Sequence, residues 1–267
     1  MVNCEKILKD AGIEDHYFEA RELIRFVTGI PPESALLHGL TQSQEEKLCA
    51  LAKRRASGYP LQYIIGEWEF MGLPFKVNED VLIPRADTET LTEAALTFFG
   101  KGDSILDLCC GSGCIGVSMA KYGGCKVTAL DISEGAVRIT AENAKMNGVE
   151  IKTVCADLFE VPIEGQFDGI LCNPPYLTAE DMRSLQTEVT YEPKTALFGG
   201  EDGLDFYRFI IEKYTLHIKV NGALFFETGC TQTDSVSELM EKYYAGIRII
   251  KDTGGNPRVV TGIKRGM

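Results

Sequence analysis

From about residue 85 onward the chain repeats one pattern, a short apolar run followed by a stretch with helical spacing. The runs are SILDLCC, CKVTALD, EIKTVCA, FDGILCN and GALFFET. Each is too short for a buried helix and too continuously apolar for a strand with one wet face. Strands buried on both sides need crossover helices above and below them, so the pattern predicts an α/β fold with a mostly parallel sheet. With 45% hydrophobic residues in 267, the chain has the material for such a core.

The first 65 residues have a different texture. KILKDAG, HYFEARELIRFVTG and SQEEKLCALAKRRASG mix charges with Leu, Ile and Ala at helical spacing, and each closes on a glycine. We read a small helical domain over residues 1–68. Residues 69–84, rich in Phe, Val, Gly and Pro, are expected to form a hairpin or linker, and residues 85–267 the α/β domain.

In an open α/β sheet ligands bind beyond the carboxyl ends of the strands, so those ends carry the functional information. The first, ILDLCCGSGCIGVSMA, runs from an apolar strand through Gly111 and Gly113 into a helix expected from Cys114. Its G-x-G-x-x-G spacing suits a nucleotide-type loop, although alone it also describes an ordinary tight turn. The second strand ends in Asp131, eighteen residues beyond Gly113, where an acid can hold ribose hydroxyls. The third ends at Asp157, placed either to meet an adenine edge or to cap the next turn.

The fourth strand runs into Asn173-Pro174-Pro175-Tyr176. Two successive prolines fix φ and bias the residues before them toward extended geometry, which makes a stiff corner. The Asn173 side-chain oxygen and the Pro174 carbonyl are then two acceptors at a fixed separation, suited to the two hydrogens of a planar NH2 group, and the Tyr176 ring could stack on that plane. Accepting from both N–H groups pushes electron density onto a nitrogen that is otherwise a poor nucleophile. The electrophile that suits such a nitrogen is the sulfonium methyl of S-adenosylmethionine.

These motifs, in this order, resemble the class I S-adenosylmethionine-dependent methyltransferases, whose Rossmann-like sheet the strand pattern fits. Pro60–Leu91 (PLQYIIGEWEFMGLPFKVNEDVLIPRADTETL), VTYEPKTALFGGEDGLDFYR and KDTGGNPRVV narrow the resemblance to the PrmC/HemK family of protein-(glutamine-N5) methyltransferases. The resemblance implies methylation of the glutamine in the Gly-Gly-Gln motif of class 1 peptide chain release factors. It also implies a cofactor set of Asp107, Cys109, Gly111, Gly113, Asp131, Ile132, Asp157, Leu158 and Asn173. The implied catalytic corner is Asn173, Pro174 and Tyr176, with Pro175, Arg85 and Glu89 also toward the substrate. Arg85 and Glu89 equally suit an ion pair at a helix start, and Gly199, Gly200 and Gly203 a loop over the site or a simple turn. The chain departs from the family pattern at two places. Cys109 stands where D-L-G-x-G-S-G has its first glycine, and Ala86-Asp87-Thr88-Glu89 replaces P-E-T-E.

Charge and cysteine content restrict the alternatives. Residues 1–80 hold 9 Lys and Arg against 13 Asp and Glu, the remainder 18 against 26, so neither part offers a broad phosphate-binding face. That weighs against the main rival, an N-P-P-Y nucleic-acid amino-methyltransferase. A dinucleotide oxidoreductase leaves N-P-P-Y unexplained, and a non-catalytic binding module has only Cys109 in its favour. Nine scattered cysteines and three histidines read as reduced thiols without a disulfide framework or metal site. The expectation is a cytoplasmic monomer with no membrane segment and no nucleic-acid partner.

Overall fold

The computed structural model describes residues 2–160 and 163–266. The chain divides into two compact units, Met1–Glu67 with Gln186–Tyr191, and Trp68–Leu185 with Glu192–Met267.

The first unit is helical: α1 (Val2–Asp10), α2 (His16–Thr28), α3 (Pro32–His38), α4 (Gln42–Ala56) and α5 (Leu61–Ile65). The glycine expected to close α2 does so in the left-handed conformation, Gly29 N–H returning to the Arg25 carbonyl at 2.8 Å. A capping box between Thr41 and Gln44 starts α4. Leu8, Leu23, Ile24, Leu48 and Ala52 form the buried stripe. The guanidinium of Arg55 is buried and donates to Glu19 (2.7 and 3.0 Å) and to Glu188 (2.5 Å). Those bonds fasten residues 186–191 to this unit.

The second unit begins with a hairpin, β1 (Glu67–Phe70) and β2 (Leu73–Lys76), followed by α6 (Ala86–Leu96). Its sheet has seven strands in the order β5 (Lys152–Cys155), β4 (Lys126–Asp131), β3 (Ser104–Leu108), β6 (Phe167–Cys172), β7 (Ile218–Glu227), β9 (Pro257–Lys264), β8 (Tyr244–Lys251). The first five are mutually parallel, and β9 runs antiparallel to both its neighbours. The crossovers include α7 (Cys114–Ser118), which continues as a π turn over Met119–Gly123, α8 (Glu134–Met146), α9 (Asp205–Lys213) and α10 (Thr233–Met240).

Alternation along the central strands divides the core between the two faces. Leu106, Leu108, Ile170, Cys172, Leu224 and Phe226 pack against Tyr207 and Ile210 of α9 and Val236 and Met240 of α10. Ile105, Leu171 and Phe225 pack against Leu91 and Ala95 of α6, Ile115 of α7 and Phe70 and Phe75 of the hairpin. Residues 69–84 thus contribute core to the second unit. Among the described residues no helix is long and apolar enough to cross a membrane.

Candidate active site

The ladder register brings the strand ends to one rim. Leu108 of β3 pairs with Leu130 of β4 and with Cys172 of β6, and Cys172 pairs with Phe226 of β7. Cys109, Asp131, Asn173 and Glu227 therefore leave their strands side by side. The chain moves outward from β3 through β4 to β5, then returns past β3 to β6 and β7, so this rim is also the sheet's topological switch point. A cavity of about 770 Å³ opens there, within the usual range for small-molecule sites. Its wall includes Arg85, Thr88, Cys109, Gly111, Asp131, Ile132, Asp157, Leu158, Asn173 and Pro175. Ile132, Phe159 and Phe198 also line it and stay 55%, 42% and 44% exposed, so they offer open apolar faces to a planar ring.

The glycine loop is clamped from several sides. Gly111 N–H donates to Asp131 Oδ2 and Ser133 N–H to Asp131 Oδ1, both at 2.9 Å. Each carboxylate oxygen keeps a second lone pair for a hydroxyl donor. Burial pushes the Asp131 carboxyl up, against those backbone hydrogen bonds. From α8, Thr140 donates to the Gly111 carbonyl (3.0 Å) and Asn143 to the Ser112 carbonyl (2.8 Å). Gly113 has φ 78°, and a Cβ there would stand 2.8 Å from the Thr140 methyl, so the close packing of α8 on the loop needs a glycine. Asp107 is fully buried and accepts the Gly116 N–H at 2.9 Å through Oδ2, while its Oδ1 has no hydrogen-bond partner among the described residues. Burial, opposed by the Gly116 bond and aided by Asp131, holds its carboxyl up at about 7. Asp157 lines the cavity and also caps the following turn, accepting from Phe159 N–H at 2.8 Å.

At the fourth strand end, the Asn173 side-chain NH2 donates to the Thr88 hydroxyl at 3.2 Å. That leaves the Asn173 carbonyl oxygen as the end of the amide free to accept. The corner is braced along its length. Leu177 N–H donates to the Leu197 carbonyl (2.8 Å), Gly199 N–H to the Leu177 carbonyl (2.9 Å), and Gln232 Nε2 to the Tyr176 carbonyl (3.0 Å). A Cβ at Gly199 would stand 2.6 Å from the Pro175 carbonyl oxygen, so glycine permits the backbones to touch. Gly200 and Gly203 continue this turn, both at positive φ.

Five of the expected site residues do not reach the cavity wall: Asp107, Gly113, Pro174, Tyr176 and Glu89. The Tyr176 ring packs against the core beside the sheet instead of facing the cavity, and burial pushes its hydroxyl up to about 12. Glu89 accepts the Met71 N–H of the hairpin at 2.6 Å. Arg85 pairs with the buried Glu192 carboxylate, so the alternative of an Arg85–Glu89 ion pair at the helix start is replaced by two separate contacts. Cys172 is fully buried at its strand end. Sequence reading missed Thr88, Thr140, Asn143, Glu227 and Gln232. Glu227 was signalled in the same way as Asp131, as an acid closing an apolar strand, and Thr88 lay inside a quoted motif.

Two family models match the chain, the PrmC N-terminal domain over residues 2–66 and the methyltransferase small domain over residues 87–200. A release factor glutamine methyltransferase of Geobacter sulfurreducens is 36% identical over 96% of this chain and 92% of its own length. One from Aquifex aeolicus is 35% identical over 97% and 95%.

The chain belongs to the release factor glutamine methyltransferase family.

As in the family's two models, the helical region precedes the catalytic fold. Among solved structures, a methyltransferase from Pyrococcus furiosus superposes with a TM-score of 0.57 at 20% identity, covering 74% of this chain and 91% of that one. The T. Thermophilus 16S rRNA N2 G1207 methyltransferase, solved in complex with AdoMet and guanosine, gives 0.53 at 16% identity over 74% and 50%. These two likenesses concern the class I methyltransferase fold alone.

Proposed function

We propose that this chain transfers a methyl group from S-adenosylmethionine to the side-chain amide nitrogen of the glutamine in the Gly-Gly-Gln motif of class 1 release factors. The observation that carries this reading is Asn173. Its NH2 is committed to Thr88 and its carbonyl is left to accept, at the rim shared with the glycine loop and Asp131.

The residues present fit the cofactor. Asp131 would accept from ribose hydroxyls, the Ile132, Leu158 and Phe159 wall would hold the adenine, and Asp157 would meet its edge. Asp107 lies behind the glycine loop and off the cavity wall, so its Oδ1, unpaired among the described residues, would meet the amino-acid end only through a bridging water. S-adenosylmethionine supplies a methyl on a sulfonium. Everything else falls to the protein. Asn173 Oδ1, at the cavity wall, would accept one N–H of the incoming amide, and the Pro174 carbonyl, set back from that wall, would take the other once the amide enters the corner, so that the nitrogen is held toward the methyl. Positive charge develops on that nitrogen during transfer, so both acceptors bind the transition state more tightly than the ground state. Tyr176, packed behind the corner, would keep it rigid, and Arg85, anchored by Glu192, stands at the cavity wall toward the substrate. The proton leaves after methylation. Reaction on a single copy of the chain in the cytoplasm, with the helical unit as a second contact surface, completes the reading.

The rival acceptor, an exocyclic amine of nucleic acid, draws no support from the curated relatives named above. Methyl-labelled cofactor with a release factor, with the same factor carrying Gln→Glu in its Gly-Gly-Gln motif, and with ribosomal RNA should label the unaltered factor alone. Asn173→Ala should keep cofactor binding and lose on the order of a hundredfold or more in turnover. Label in the RNA, or unaltered turnover by Asn173→Ala, would refute the assignment.

A further inference from the structure

Glu227 is a carboxyl that the transfer step leaves unused. It closes β7 one residue beyond Phe226, whose ladder partner Cys172 precedes Asn173. Only 1% of it is exposed, and its Oε2 has no hydrogen-bond partner among the described residues. Between Glu227 and Asn173 stands Thr88, 3% exposed in the first turn of α6. The Thr88 hydroxyl accepts from Asn173 Nδ2 at 3.2 Å and sits against the Glu227 carboxyl, whose charged form it favours, so its proton is the one available to that carboxyl.

A hydroxyl carries one proton, which gives this chain of bonds a direction. An ionised Glu227 can only accept, so the Thr88 proton points to it and the Thr88 lone pairs face Asn173. Asn173 must then turn its NH2 inward and its oxygen outward. A protonated Glu227 reverses the chain: it donates to Thr88, Thr88 donates to Asn173, and the flip that presents NH2 outward is favoured. In that flip a donor would meet the donors of the substrate amide.

We propose that Glu227 and Thr88 are positioning residues which, through this directed chain of hydrogen bonds, hold Asn173 Oδ1 toward the acceptor amide. The inference rests on the methyl-transfer reading above. The charged and titratable groups facing Glu227 are Asp87, Arg85 and Tyr176 on one side, Arg258 of β9, Tyr207 of α9 and Cys114 of α7. Burial outweighs the Thr88 bond and the attraction of Arg258, and the carboxyl lies at about 7. The reversal therefore falls within the range where the enzyme can be assayed.

The test is single-turnover methylation of a release factor between pH 5.5 and 8.5, with cofactor affinity measured alongside. Turnover by the unaltered chain should fall about tenfold for each pH unit below about 7. Glu227→Gln, neutral at every pH and able to accept from Thr88 as well as donate to it, no longer fixes the direction of the chain and should be slower at pH 8, by up to about tenfold, and lack that acid limb, with cofactor affinity retained. Thr88→Val should be comparably slow and Thr88→Ser close to the unaltered rate. A Glu227→Gln chain that keeps both the rate and the acid limb would overturn the proposal. So would a Thr88→Val chain with unaltered turnover, a result that stands even if Glu227→Gln fails to fold. Absence of transfer by the unaltered chain would instead contradict the underlying function.

Discussion

At the scale of single residues, Cys109 is the most exposed to test, because it occupies the first-glycine position of the loop with φ 58°. A non-glycine residue in that region costs on the order of 1–3 kcal/mol unless its surroundings hold it there. Cys109 is held by packing against the core that contains Cys172 and by the Cys110 N–H bond to the Leu130 carbonyl at 3.0 Å. Cys109→Gly should therefore stay within about 1 kcal/mol of the unaltered stability, since relief of strain offsets lost packing. Cys109→Val, branched at Cβ, should lose about 2 kcal/mol or more in urea unfolding. Equal stability of the two variants would mean that the backbone at 109 is not what the structure shows. Residue-scale reading of the sequence put Asn173 and Asp131 at strand ends, and both line the cavity. It failed where the partner is remote. Glu89 turned to Met71 and Arg85 to Glu192, 107 positions away, and no local spacing encodes such a choice.

At the scale of elements, the strand ends and the loops that brace them decide the site. Asn173 lies where it does because β6 is in register with β3 and β7, and the corner that follows is pinned by Leu197, Gly199 and Gln232. Gly199→Ala places a methyl 2.6 Å from the Pro175 carbonyl and 2.7 Å from the Tyr176 Cα, both backbone atoms that cannot rotate away. The corner must shift, and turnover should fall on the order of tenfold to a hundredfold while cofactor affinity holds. Isothermal titration with S-adenosylhomocysteine beside a rate measurement separates the two effects; a parallel loss of both would show that the loop serves the cofactor. The inner parallel strands were legible because burial on both faces writes a continuous apolar run, whereas β5, at the sheet edge with both ends exposed, was legible only from its short Thr-Val-Cys run. β8 and β9 were not, since YAGIRIIK alternates with polar residues at a half-exposed edge and PRVVTGIK follows a Gly-Gly-Asn turn without a crossover helix to mark it.

At the scale of the whole molecule, the buried carboxyls link stability to pH. Asp107 and Glu227 lie near 7 in the folded chain, well above the ordinary carboxyl range. Folding thus favours their protonated forms. Their contribution is complete below a pH of about 4, declines as pH rises, and is lost above about 7, with a slope near 1.4 kcal/mol per pH unit for each. Unfolding by urea at pH 5.5 and at pH 8 should differ by about 2 kcal/mol for each carboxyl, the protein being weaker at pH 8, and Glu227→Gln should remove about half of the difference. Stability that rises with pH over this interval would contradict the burial of both carboxyls away from water, which is what favours their protonated forms. The division into two units was visible as a change of texture near residue 65, whereas the return of residues 186–191 to the helical unit was not, because it depends on Glu188 meeting Arg55 across 133 positions.

The central claim is that Asn173 presents an oxygen to a glutamine amide beside a methyl donor. Its most direct test is mass spectrometry of the Gly-Gly-Gln peptide after a purified release factor has been incubated with S-adenosylmethionine and either the unaltered chain or Asn173→Ala. One methyl group on the glutamine side chain with the unaltered chain, and almost none with an Asn173→Ala chain that still binds cofactor, is the expected result. Equal methylation by both chains, or methylation at any other residue, would contradict it.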